Sequence, residues 1–159
     1  MPTSKIVNGW ANIFTVTKGG NNGSFGDRMP GMWFRPGTRR LHICTALGSI
    51  PNYCVDDTRD LPAYVFTNIN IKQKRLSSGS YQYTIRTNGT VRSQLINTSP
   101  GILTLYNAKV YFGNPWGSPA EVNVRNFVIK SVPTGNMLLM KGQPIDMVDS
   151  TNLGEKKPK

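Results

Sequence analysis

The chain has 159 residues and a mass of 17.6 kDa, the size of one ordinary domain. Nineteen Lys and Arg against eight Asp and Glu give a net charge of +11, yet only 17 % of residues are charged. This is a moderately polar globular protein with mostly positive charges, not a polyelectrolyte. No run of about 18 apolar residues occurs, so no membrane-crossing helix is expected, and no amino-terminal leader pattern is read.

The 16 Gly and 11 Pro cut the chain into short pieces. Trp10, Asn12, Phe14 and Val16 alternate with their neighbours, which predicts a strand. A loop follows at Gly19–Gly23. Met32–Arg35 and Leu41–Ala46 are short strands joined across Pro36-Gly37-Thr38. Cys44 and Cys54 flank a plausible turn at Gly48–Asn52. They could bridge across a hairpin or remain two reduced thiols, and an extracellular setting favours the bridge. His42 lies two residues from Cys44 and shares its strand face. It is read as an ordinary polar strand position rather than half of a Cys–His pair. The acids Asp56, Asp57 and Asp60 cluster in a segment read as a solvated loop.

Period-two alternation resumes at Val65, Thr67, Ile69 and Ile71, and again at Tyr81, Tyr83 and Ile85. Asn88-Gly89 is a strong two-residue hairpin signal, because both central positions must take positive φ. Val91, Ser93 and Leu95 then continue, so 80–97 is predicted as a β-hairpin. Leu103 and Leu105 with Val110 and Phe112 give a further extended pair. Val122 and Val124, then Phe127 and Ile129, predict a last strand with a bulge near Asn126. The pattern fades after Pro133, where Met137–Met140 suits a final strand or a docked turn. Short strands at regular spacing predict an all-β antiparallel sandwich or barrel. The expected organisation is a single domain over 1–149 with a disordered tail over 150–159.

Catalytic chemistry finds little support. One His and two Cys fall short of the four ligands a zinc site usually needs, and a nucleophilic triad would have to use His42. Only Glu121 among the acids sits in an alternating segment, with no second acid two or four residues away, which disfavours a glycan-cleaving enzyme. No cofactor is expected. Calcium held by Asp27 or by Asp56 and Asp57 is the one metal alternative, against a plain solvated loop. Three glycosylation sequons, at Asn22, Asn88 and Asn97, are no more than chance supplies.

The positive charge concentrates at Arg35, Arg39 and Arg40, and at Lys72, Lys74 and Arg75, where Lys72 and Lys74 share a strand face. Arg86 and Arg92 on the next hairpin could extend that face. Such faces attract polyanions such as sulfated glycans. Nothing resembles a nucleic-acid-reading helix or an aromatic RNA-stacking motif. Trp33, beside Phe34, is read as core. Trp116, in a Gly/Pro-rich loop, is a candidate platform for a sugar ring, as is Tyr53.

Three stretches together carry a family resemblance. The first is Gly26–Ile43, containing Met32-Trp33-Phe34-Arg35-Pro36-Gly37. The second holds Leu61-Pro62, Ile71-Lys72-Gln73, Tyr81–Ile85 and Asn88-Gly89. The third runs Val110-Tyr111-Phe112-Gly113-Asn114-Pro115-Trp116, then Pro119-Ala120 and Val124–Ile129. Over about residues 10–130 this order resembles the laminin-G-like group of the concanavalin A-like lectin/glucanase superfamily. The resemblance implies an antiparallel two-sheet jelly-roll sandwich, usually extracellular, that binds glycans or proteins through loops or a concave sheet. It also implies loop aspartates for any calcium.

The expected function is therefore a non-catalytic extracellular recognition or adhesion module. Its partner is a glycan, including an anionic glycosaminoglycan, or a protein, with Arg35, Arg39, Arg40, Tyr53, Lys72, Lys74, Arg75 and Trp116 as binding residues. A small viral capsid jelly roll is the alternative, although the first 27 residues carry only Lys5 and Lys18 as cations. Self-association through sandwich edges is a further alternative.

Overall fold

The computed structural model describes residues 1–98 and 107–130. These are all-β, with no helix among them. The first strands follow the sequence reading closely: β1 is Ala11–Thr17, β2 is Gly31–Phe34 and β3 is Arg40–Leu47. β2 and β3 are joined by the expected tight turn, with Gly37 at φ 67° and Thr38 N–H donating to the Arg35 carbonyl at 3.1 Å.

β4 departs from expectation. The turn is confined to Gly48 and Ser49, and an eleven-residue strand then runs over Ile50–Asp60. It takes in the whole aspartate cluster that was read as a loop. The physical reason is charge pairing. Arg35 Nη1 meets Asp56 at 2.9 Å, Arg92 Nε meets Asp57 at 3.5 Å, and Arg40 Nε meets Asp60 at 3.8 Å. Asp56 and Asp57, being adjacent, also point to opposite faces of the strand. Such an arrangement sets each of the three carboxylates beside an arginine.

The next strand begins later than the alternation from Val65 suggests. Tyr64 has φ 58°, which breaks the extended run, and β5 spans Ile69–Arg75. β6 (Tyr81–Thr87) and β7 (Thr90–Asn97) form the expected hairpin, with Asn88 at φ 47° and Gly89 at φ 79°. β8 is Lys109–Phe112, and β9 is the two-residue Ser118–Pro119. The predicted last strand through Val124 and Ile129 does not form. Among the described residues Val122 makes only an isolated bridge to Pro2, and Asn126, at φ 52°, interrupts the extended run. Leu103, Leu105, Met137–Met140 and the tail over 150–159 lie outside the described residues.

The strands form two sheets. One has six strands in the order β4-β3-β2-β1-β8, with β9 parallel to β1; the other has three in the order β5-β6-β7. Both belong to a compact unit, Met1–Arg125. Residues Asn126–Lys130 lie outside it and form no strand.

Cross-strand register sorts the six-stranded sheet into two faces. Phe14, Met32, Ile43 and Val55 pair in one row and bring apolar side chains to one side. Met32 is 1 % exposed and Ile43 3 %, so this side is core. The three-stranded sheet adds Tyr81, Tyr83 and Ile85, all buried. Tyr53 on β4 meets Tyr83 on β6 edge-on at 6.1 Å, which joins the sheets in a sandwich-like pair of layers. The Tyr83 hydroxyl finds no hydrogen-bond partner among the described residues. Burial, then the neighbouring Tyr53, push its pKa well above the usual phenol value.

Candidate functional site, a tryptophan cleft beside a disulfide

The opposite face of the six-stranded sheet is polar and aromatic. One row crosses four strands as Asn12, Trp33, His42 and Asp56. The adjacent row is Tyr111, Thr15, Gly31, Cys44 and Cys54. Period two places these residues on one side of the sheet, because the core face claims the positions between them.

Above this face lies a cleft of about 400 Å³ in which all three tryptophans of the chain converge. Trp33 is its floor, 6 % exposed, while Trp10 and Trp116 stand at its rim, 47 % and 45 % exposed. Trp33 is a buried core residue, as expected, and its ring also floors the cleft. Trp10 draws no attention in the sequence, because alternation merely makes it the start of a strand. Only the return of the chain after β8 brings Trp116 near it.

A buried amide network holds the far end of the cleft. Asn12 Nδ2 donates to Thr15 Oγ1 at 2.9 Å and to the Met32 carbonyl at 3.2 Å. The Asn114 backbone N–H donates to Asn12 Oδ1 at 2.9 Å, and Asn114 Nδ2 donates to Thr15 Oγ1 at 3.3 Å. Asn114 Oδ1 in turn accepts the Trp116 N–H at 3.1 Å. This ties the Pro115-Trp116 loop to β1, and Tyr111 braces the Trp116 indole edge-on at 5.6 Å. Buried polar groups so paired cost little and specify one geometry.

Arg28 forms the wall. Its guanidinium lies 4.9 Å from the centre of the Trp33 ring. It donates from Nε to Asn21 Oδ1 at 3.1 Å, from Nη1 to Asn52 Oδ1 at 3.0 Å, and from Nη2 to the Asn21 carbonyl at 3.0 Å. Burial lowers its pKa, and Asp27 opposes the shift. Since guanidinium carries five N–H donors, two remain for a ligand.

His42 completes the site. Its Nδ1 lies 2.7 Å from Asp56 Oδ1 and its Nε2 3.0 Å from Cys44 Sγ. Trp10 leans on the imidazole with ring centres 4.7 Å apart. Cys44 and Cys54 are directly paired across β3 and β4 and are joined by a disulfide, the bridged alternative of the sequence reading. His42 is a paired polar residue of β3, and its ring lies between a carboxylate and the disulfide.

The remaining sequence-predicted binding residues scatter. Arg35 and Arg40 pair with β4 aspartates, and Arg39 Nε donates to the Leu61 carbonyl at 2.8 Å. Tyr53 packs between the sheets rather than in the cleft. Lys72 and Lys74 do share a face of β5, joined by Arg86, which pairs with Asn70. Arg75 falls on the other side of that strand, opposite Tyr81. Arg92 turns inward to Asp57 instead of extending the basic face. Asp27 Oδ2 accepts the backbone N–H groups of Asn22 at 2.8 Å and Ser24 at 3.1 Å, which makes it a loop-closing residue. The described residues lining the cleft include no Asp or Glu.

No family model, curated protein or solved structure matches this chain.

Proposed function

We propose that the protein is a non-catalytic glycan-recognition module whose binding site is the tryptophan cleft. The observation that carries this reading is the convergence of Trp10, Trp33 and Trp116 on one cleft walled by amides and Arg28. Exposed indoles offer flat apolar platforms for the C–H faces of a sugar ring, while Asn and Arg donors suit its hydroxyl or carboxylate oxygens. The sheet below is rigid and the loop bearing Trp116 is pinned, so binding would cost little ordering. Among the described lining residues there is no carboxylate pair of the kind glycosidases use, which favours binding over cleavage.

The finer fold assignment belongs to the same proposal. β4, β3, β2 and β1 follow one another as a meander, and β8 then returns across the sequence to pair with β1. That long return is compatible with a jelly-roll sandwich of the laminin-G-like kind. The Cys44–Cys54 bridge suits an extracellular setting.

A glycan array followed by titration calorimetry tests the reading. The chain is expected to bind a defined saccharide, and Trp10→Ala with Trp116→Ala to weaken it by about tenfold each, the equivalent of one lost stacking contact. Absence of any saccharide ligand, or equal binding by the double variant, would overturn it.

A further inference from the structure

The disulfide does not lie against an inert surface. Cys44 Sγ faces the imidazole Nε2 of His42 at 3.0 Å, and the ligand-type atoms of His42, Cys44 and Cys54 all lie within 4.8 Å of one another. The other face of the imidazole is also engaged. Asp56 Oδ1 sits 2.7 Å from Nδ1, and Arg35 holds the second carboxylate oxygen at 2.9 Å. A carboxylate only accepts, so Nδ1 carries a proton toward Asp56, and it is Nε2 that faces the sulfur. Carboxylate–histidine pairs of this kind orient and strengthen metal-binding histidines.

We propose that opening the Cys44–Cys54 bridge creates a metal site for Zn²⁺, with the two thiolates and His42 Nε2 as ligands. Two thiolates and one imidazole are a zinc-binding set that leaves a fourth position for water. Of these three ligands, His42 lines the cleft. The geometry requires small movement. Tetrahedral zinc with Zn–S of about 2.3 Å and Zn–N of about 2.0 Å places its ligand atoms roughly 3.5–3.8 Å apart. Rotation of two cysteine side chains on neighbouring strands supplies that separation while the β3–β4 register keeps them facing.

The chemistry balances with a named reductant. A phosphine and water convert the disulfide to two thiols and the phosphine to its oxide. Zn²⁺ then displaces one proton from each thiol as the two S–Zn bonds form, and Nε2 binds through its lone pair, with any proton on it leaving to solvent. The metal site shares His42 with the cleft, but metal affinity is read without any glycan present, so its failure and that of saccharide binding are distinguished.

The test is titration of the phosphine-reduced full chain with Zn²⁺ alone, and with Co²⁺ as a spectroscopic reporter of thiolate bonds. One equivalent is expected to bind to the reduced chain and none to the oxidised chain. His42→Ala is expected to lower affinity by at least tenfold. Asp56→Asn is expected to lower it by about 10–100-fold, the usual effect of losing a partner of a metal-bound histidine. No binding by the reduced chain, or equal affinity in His42→Ala, would overturn the proposal. If reduction alone diminishes the near-ultraviolet circular dichroism of the tryptophans, recovery on adding Zn²⁺ supports the site and failure to recover counts against it.

Discussion

The indole of Trp33 lies directly over Gly31, two residues earlier on the same strand face. A Cβ at position 31 would stand 2.2 Å from the Trp33 ring, closer than any side chain tolerates. The glycine is therefore a space requirement of the cleft floor, not a turn signal. Gly31→Ala is expected to destabilise the fold by about 1–3 kcal/mol, the usual cost of overpacking. It should also shift Trp33 fluorescence. Chemical denaturation and the emission maximum check this together, and an unperturbed Trp33 would contradict it.

The three tryptophans should separate by role. Trp33→Ala removes a buried ring and is expected to cost about 3–5 kcal/mol. Trp10→Ala and Trp116→Ala change rim residues and should stay within about 1 kcal/mol of the parent stability. Thermal or urea unfolding of the three variants reads the difference.

Asn114 couples the loop to β1 through both its amide atoms. Asn114→Ala is expected to lose about 1–3 kcal/mol, because partners in a buried network are left unpaired. Its larger effect should be on the cleft, since the Trp116 N–H loses its acceptor. Hydrogen exchange at Trp116 is expected to speed up while exchange in β6 and β7 stays unchanged.

Tyr83 gives a pH signature. Its phenol is held above its ordinary pKa of about 10, so at alkaline pH the folded chain keeps a proton that the unfolded chain releases. The contribution is intact below about pH 10 and declines as pH rises beyond it, with a slope approaching 1.4 kcal/mol per pH unit. Tyr83→Phe should abolish this alkaline loss. It should also raise stability at neutral pH by about 1 kcal/mol, because the orphan hydroxyl disappears. Urea unfolding at pH 8 and above pH 10 checks both effects.

The basic face of β5 and β6 is separable from the cleft. Replacing Lys72, Lys74 and Arg86 together by Ala is expected to lower the salt needed to elute the chain from heparin. Trp10→Ala should leave that elution unchanged. Replacing Arg35 and Arg40 should matter less, because both are already paired with aspartates.

Much of the strand layout was legible because period two and Asn88-Gly89 are local signals. β1, β2, β3 and the 81–97 hairpin follow from them. β4 was not legible, because its aspartates look like loop residues until Arg35, Arg40 and Arg92 are brought opposite them. The late start of β5 had no readable cue, since Tyr64 adopts a left-handed conformation that alternation does not report. The cleft was invisible for a related reason. Trp10, Trp33 and Trp116 are far apart in the chain, and no spacing rule links them. Trp116 alone stood out, through its Gly/Pro-rich surroundings. The Cys44–Cys54 pairing was readable as one of two options, whereas the Asp56–His42 contact needed the β3–β4 register.

The placement of lysines on β5 bears on colloidal behaviour. Among the described residues β5 has a strand neighbour on one side only, β6, and is an edge strand. Lys72, Lys74 and Arg75 make that edge mutually repellent between copies of the chain. A bound polyanion would cancel the repulsion and let copies of the chain string together edge to edge, with turbidity appearing near charge equivalence and clearing in excess polyanion.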